Sequence, residues 1–229
     1  MRRHRWRLIL WLSVGALVVL LVALVLLYQG LRSVPTGYRQ AMQLDRPTLR
    51  KGSDQALRRA SALASDIQRD GPWEAWFTDE QINGWLAVDL PENHPRALPE
   101  GVRDPRVQIT SDHVALFCTV ERAGQTTVLT LLVEPYLSEP DVVALRLRGA
   151  RAGALPLPIG QATEQISAAA RAAELRLVWQ QAEGDPVALI HLPEPSEEDG
   201  RRATIERLEL GEGQIYLAGT TEKRTDESK

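Results

Sequence analysis

Leu8 to Tyr28, LILWLSVGALVVLLVALVLLY, is an apolar run without one charged residue. About 20 such residues in a helix span a hydrocarbon core of roughly 30 Å. A helix on a soluble core would keep a polar face, and this run has none. Arg2, Arg3, Arg5 and Arg7 stand ahead of it, the charge density expected on the cytoplasmic side. Trp6 and Tyr28 fall near its two ends, where amphipathic rings favour the membrane–water boundary. A cleaved signal peptide has a shorter apolar region, about 7–15 residues, and a small-residue cleavage site. Leu26-Leu27-Tyr28-Gln29-Gly30 offers no such site, and the only cysteine, Cys118, is far downstream. The expectation is an uncleaved signal anchor in the cytoplasmic (inner) membrane. The N-terminus (residues 1–7) would lie inside and the rest of the chain would be extracytoplasmic, in the cell envelope.

The remainder is long enough for one ordinary domain. Its net charge moves from −3 to −7 once the four flank arginines are set aside. An acidic domain is ill suited to nucleic acid, whose affinity rests on neutralised phosphates. A single cysteine permits no internal disulfide.

Residues 29–52 carry Pro35, Gly37 and Pro47 without lasting periodicity and read as a juxtamembrane linker, with Tyr38, Met42 and Leu44 able to make a short helix against the bilayer or the domain. Ser53-Asp54 offers a helix N-cap, with Ala56, Leu57, Ala60, Leu63 and Ile67 at helical spacing up to Gly71-Pro72. Thr78-Asp-Glu-Gln81 is a capping box, opening a helix with Ile82, Trp85 and Leu86 on one side. From Arg103 the period changes to alternation. Strands are expected over 107–109, 114–120, 128–133 and 143–147, with a break at Pro135 to Pro140. Gly149 to Pro158 reads as irregular, then Ile159 to Glu174 as an alanine-rich helix. Two hairpins follow, 175–180 with 187–192 and 203–210 with 214–218, before a polar tail frayed from Thr221 and disordered over 222–229. The predicted class is α+β: one domain over 53–221, a meandering antiparallel sheet packed with about three helices.

Familiar catalytic signatures are missing from this pattern. His4, His94, His113 and His191 have no ligand partner at metal spacing, and no nucleophile elbow or phosphate-binding loop is present. Cys118 lies mid-strand among apolar neighbours, a poor setting for a nucleophile. Asp79 and Glu80 answer the dipole of the helix they open. A non-enzymatic protein without cofactor or metal is expected, with a hydrolase using His191 or His113 as the weak alternative.

Two features suggest an apolar ligand. Trp73, Trp76, Phe77 and Trp85 gather beside the first helices, where aromatics are ordinarily core but can also line a lipid pocket. Val128 to Val133 is apolar on both faces, so it needs helices over both, a partner, or an apolar ligand.

The order of these parts resembles the YpmS-like family of bacterial single-pass membrane proteins. A basic flank and span followed by Phe77-Thr-Asp-Glu-Gln-Ile-Asn-Gly-Trp-Leu86 is similar to that family's "eeln-aLL" motif, and Gly153-Ala-Leu-Pro-Leu-Pro158 to its "G-x-lPlP" turn. The resemblance covers most of Thr78 to Leu192. It implies a tubular lipid-binding (TULIP-like) layout in which a curled sheet and a helix enclose acyl chains. The implied ligand-facing positions are Ile82, Asn83, Trp85 and Leu86 on the first motif, Leu155, Pro156, Leu157 and Pro158 on the turn, and Ile166 on the helix after it; Trp73, Trp76 and Phe77 join them from the aromatic group. The expected partners are the bilayer through Leu8 to Tyr28, a lipid or other apolar ligand, and an envelope protein or second copy. A structural or adaptor subunit of an envelope complex is the rival expectation.

Overall fold

The structure, a computed structural model, describes residues 26, 28–95, 97–122, 124–172, 177–191 and 201–223. The expected span, save Leu26 and Tyr28, lies outside the described residues, as do the acidic loop Glu194 to Asp199 and the tail from 224. Among the described residues no helix is long and apolar enough to cross a membrane.

The class is α+β with antiparallel sheets, as the alternating and helical periods require. The helices are α1 (Thr36–Met42), α2 (Arg46–Ile67), α3 (Asp79–Ala87), α4 (Asp89–Asn93) and α5 (Ile159–Ala172). The strands are β1 (Gly71–Thr78), β2 (Val102–Ile109), β3 (Val114–Arg122), β4 (Gln125–Glu139), β5 (Val142–Ala152), β6 (Leu155–Leu157), β7 (Leu177–Ala182), β8 (Asp185–His191), β9 (Arg201–Gly211) and β10 (Gln214–Lys223). A large sheet runs β2-β3-β4-β5-β8-β7, with β6 beside the end of β5, and a small one runs β1-β10-β9.

Several expectations are corrected by the packing. Residues 36–52 belong to the fold, with Tyr38, Ala41, Leu49 and Gly52 buried. Pro47 does not break α2. It stands in the first turn, where the missing N–H has no partner to lose, behind Asp45, whose side chain accepts from the Thr48 N–H. Gly52 and Gly84 let α2 and α3 cross closely, for a Cβ at either would run into the other helix's backbone. Pro135 does not break β4. Strand β3 ends at Val114 opposite Val133, so beyond that point β4 has a ladder partner on one side alone, β5, with Pro135 opposite Leu145. Gly149 to Ala152 continue β5. Trp73 to Phe77 form the middle of β1, paired with β10. Thr221 is not frayed: its hydroxyl donates to the Ile67 carbonyl at 2.9 Å and its side chain is buried.

The capping box forms as the sequence requires, Thr78 Oγ1 accepting from the Gln81 N–H and the Gln81 side chain accepting from the Thr78 N–H, both at 3.2 Å. Helix α3 thereby starts at the end of β1 and lies along β2.

Candidate apolar-ligand site

Antiparallel partners share a face, so strand register sorts the side chains of the large sheet. One face carries Ala115, Phe117 and Thr119 beside Leu132, Thr130 and Val128. Helix α1 closes it: Tyr38 packs on Phe117 at 5.8 Å between ring centroids, and its hydroxyl lies 2.6 Å from Thr119 Oγ1. Burial pushes the Tyr38 hydroxyl above the ordinary tyrosine range, against the opposing effect of the Thr119 bond.

The other face is apolar in three cross-strand rows. Val107, Leu116, Leu131, Ala150 and Leu157 form one; Ile109, Val114, Val133 and Leu147 a second; Cys118, Leu129, Ala152 and Leu155 a third. Val107, Ile109, Val133, Leu147, Ala150 and Ala152 on these rows are buried. The larger side chains of the first and third rows are not. Leu116 is 39% exposed, and Cys118, Leu129, Leu131, Leu155 and Leu157 are only half-buried. Helix α5 stands on this same side, since Trp179, which shares a face with Ala188 and Leu145, donates its indole N–H to Ser167 at 2.7 Å. Ala162, Ile166 and Ser167 are half-buried along α5. The result is an apolar sheet face, or floor, with α5 on the same side, packed against β5 and β7.

The expected ligand positions divide into two groups. Leu155 and Leu157 belong to the floor and Ile166 to α5, while Pro156 and Pro158 point away and are exposed. The group on β1 and α3 has other roles, and no extensive contact joins it to β6 or α5. Trp73 is buried and rests against Gly219, where a Cβ would meet its ring. Trp76 is exposed under the Arg59 guanidinium, 4.5 Å from the ring centroid, and Arg59 donates to the Trp76 carbonyl. Phe77 and Ile82 are half-buried, Leu86 also. Trp85 lies 6.2 Å from the His94 ring. Asn83 is buried with both ends of its amide engaged: Nδ2 donates to the Val107 carbonyl at 2.9 Å, and Oδ1 accepts from the Val107 N–H at 2.8 Å. It thus pairs with the outer edge of β2 as another strand would.

Leu116, Leu129 and Leu131 were missed as floor residues. The alternation of 114–120 and 128–133 held the signal, but only the register of the hairpin shows which residues share a face.

Electrostatics are directed elsewhere. Arg148 Nη2 meets Glu134 Oε2 at 2.7 Å and Arg146 Nη1 meets Glu183 Oε2 at 3.0 Å, a network across β4, β5 and the β7–β8 turn. Burial pushes the Cys118 thiol up, away from the thiolate a nucleophile needs. Burial also lifts Asp79, in spite of backbone N–H groups from Glu80 and Ile109 that favour its charged form. Among the described residues no three of His, Cys, Asp and Glu gather as a metal site. His113 contributes to a turn through Thr110, and the His191 side chain lies outside the described residues.

No family model matches the chain, and no curated protein or solved structure is significantly similar to it.

Proposed function

We propose that this chain is a membrane-anchored extracytoplasmic domain, of the YpmS-like kind, that binds lipid or another apolar ligand on the large sheet beneath α5. It would do so without catalysis. The observation that carries the reading is the incompletely buried leucines of the apolar face, Leu116, Leu129, Leu131, Leu155 and Leu157, on a sheet whose opposite face α1 packs against. An acyl chain laid there gains about 0.8 kcal/mol for each CH₂ removed from water. The anchor in this reading is Leu8 to Tyr28, crossing the inner membrane with its N-terminus in the cytoplasm.

Residues 29–229, purified from bacteria without detergent and examined by native mass spectrometry and organic extraction, should carry a stoichiometric phospholipid or fatty acid. Leu116→Glu, at an exposed position, should lose that lipid and remain folded. A lipid-free protein that takes up no added lipid overturns the proposal.

One observation favours the adaptor reading instead. Strand β7 ends the order of the large sheet, and Val178 on it is 44% exposed, an edge to which a partner strand can add. A stable dimer or a co-purifying envelope protein in the same native spectra would support it.

A further inference from the structure

The apolar floor ends at the place where the chain arrives from the expected span. Its third row finishes on Leu155, and a Cβ added to Gly30 would come within 2.9 Å of that side chain. The Gly30 carbonyl, near the end of a helical turn at 28–31, accepts from the Ala154 N–H at 2.9 Å. On the other side of the turn the Gly153 N–H donates to the Val128 carbonyl at 2.8 Å. Gly153 has φ +58, and a Cβ there would collide with the carbonyl oxygens of Gly30 and Leu31. Only glycine admits this contact. The β5–β6 corner is therefore clamped to the chain two residues past Tyr28, roughly 3 Å at 1.5 Å per helical residue.

We infer that this corner, residues 153–158 with Arg32 and Arg151, rests on the headgroup layer of an anionic bilayer and opens the apolar floor toward it. The inference rests on reading Leu8 to Tyr28 as a membrane span. With a clamp in place of a loose linker, the corner has no freedom to swing away from the surface. The exposed residues suit that surface. Ala154, Pro156 and Pro158 bring no charge, and Arg32 and Arg151 are exposed cations. Among the described residues neither arginine has a carboxylate within ion-pair distance, so both guanidinium groups are available to lipid phosphates. Arg32 also stacks over Tyr28, 4.4 Å from the ring centroid, which sets an aromatic ring and a cation together at headgroup level. A lipid leaving the bilayer here meets Leu155 first, then passes Ala152 to Leu129 and Cys118 along the same row.

The test uses the full chain, with Cys118→Ala, in vesicles of phosphatidylcholine and phosphatidylglycerol carrying a headgroup nitroxide. A fluorophore is attached either at Pro156→Cys or at Glu212→Cys. Glu212 sits by Ser111, at the far end of β3, and Val128 and Val133 on β4 alone separate the two ends by roughly 17 Å at 3.4 Å per residue. Quenching at 156 should exceed that at 212 severalfold, and Gly153→Val, which opens the clamp, should bring the two together. Arg32→Gln with Arg151→Gln should abolish the dependence of quenching at 156 on phosphatidylglycerol. Equal quenching at the two sites in a chain that withstands alkaline washing overturns the corner and leaves the span standing. A chain that washes off the vesicles overturns both. The comparison of 156 with 212 in the parent protein decides the matter even if Gly153→Val fails to fold.

Discussion

Asn83→Asp exchanges one side-chain atom and is expected to make the fold titrate. In the wild type the amide of Asn83 donates to the Val107 carbonyl and accepts from the Val107 N–H, both in a buried setting. An ionised aspartate keeps the acceptor and loses the donor, and turns a carboxylate oxygen toward the carbonyl. A buried group left without its partner costs about 1–3 kcal/mol, more when charged, so a loss of about 3 kcal/mol is expected at neutral pH. Protonation restores the pattern, because a carboxylic acid offers one donor and one acceptor as the amide does. A loss of about 3 kcal/mol corresponds to a folded-state pKa raised by about 2 units, from about 4 to about 6. The deficit should be absent below about pH 4 and complete above about pH 6, since a raised carboxyl gives up its stabilising proton as pH climbs through the folded value. Urea unfolding of residues 29–229 followed by tryptophan fluorescence, at several pH values, measures this. Asn83→Ala serves as the control: it should lose about 3–4 kcal/mol, since both Val107 groups are orphaned, with no added pH dependence. An Asn83→Asp variant as stable as wild type at neutral pH, or one whose deficit does not shrink on acidification, refutes the edge-pairing account.

Two further outcomes follow from the packing. A fragment beginning at Ser53 lacks Tyr38, Ala41 and Leu49, which are buried, and uncovers Phe117; each large apolar side chain lost is worth about 1.5–3 kcal/mol, so it should be degraded by thermolysin where residues 29–229 resist. Burial raises the Asp79 carboxyl, so its contribution to stability is full below its unfolded value and is lost as pH rises through its folded value. Asp79→Asn should flatten that part of the decline in urea midpoint between acid and neutral pH, and an unchanged profile would contradict it.

Local grammar carried much of this fold. The capping box at Thr78, the hairpins after α5 and the alternation of β3 and β4 are short-range patterns, and each appears where its residues require. Long-range partners were the hidden part. Pro47 and Gly52 look like breakers until α2 is seen capped by Asp45 and crossed by α3 at Gly84. Pro135 looks like a strand end until β3 is seen to stop beside it. The two apolar faces of 128–133 posed the right question, and α1, the short helix that Tyr38 and Met42 allowed within the linker, answers for one face only. Asn83 was singled out through a motif and turns out to join an edge strand, a role visible only when β2 lies beside it. Leu155 and Leu157, picked from the same resemblance, do meet Leu129 and Leu131 on one face, because β6 returns along β5.

The pairing of β1 with β10 sets a timetable for this chain. Gly71 lies opposite Thr221 and Thr78 opposite Gln214, so the first strand has no neighbour in its sheet until the last is made, while β10 has β9 beside it. Contacts so distant in sequence form slowly, since a long loop must close before they reward it. A chain emerging residue by residue can cap α3 and close the β3–β4 hairpin, yet Trp73 and Ala75 remain uncovered until β10 arrives. Loss of the last dozen described residues would therefore strip the partner from the first strand, and nascent or shortened chains should present Trp73 to chaperones and proteases that the finished domain never meets.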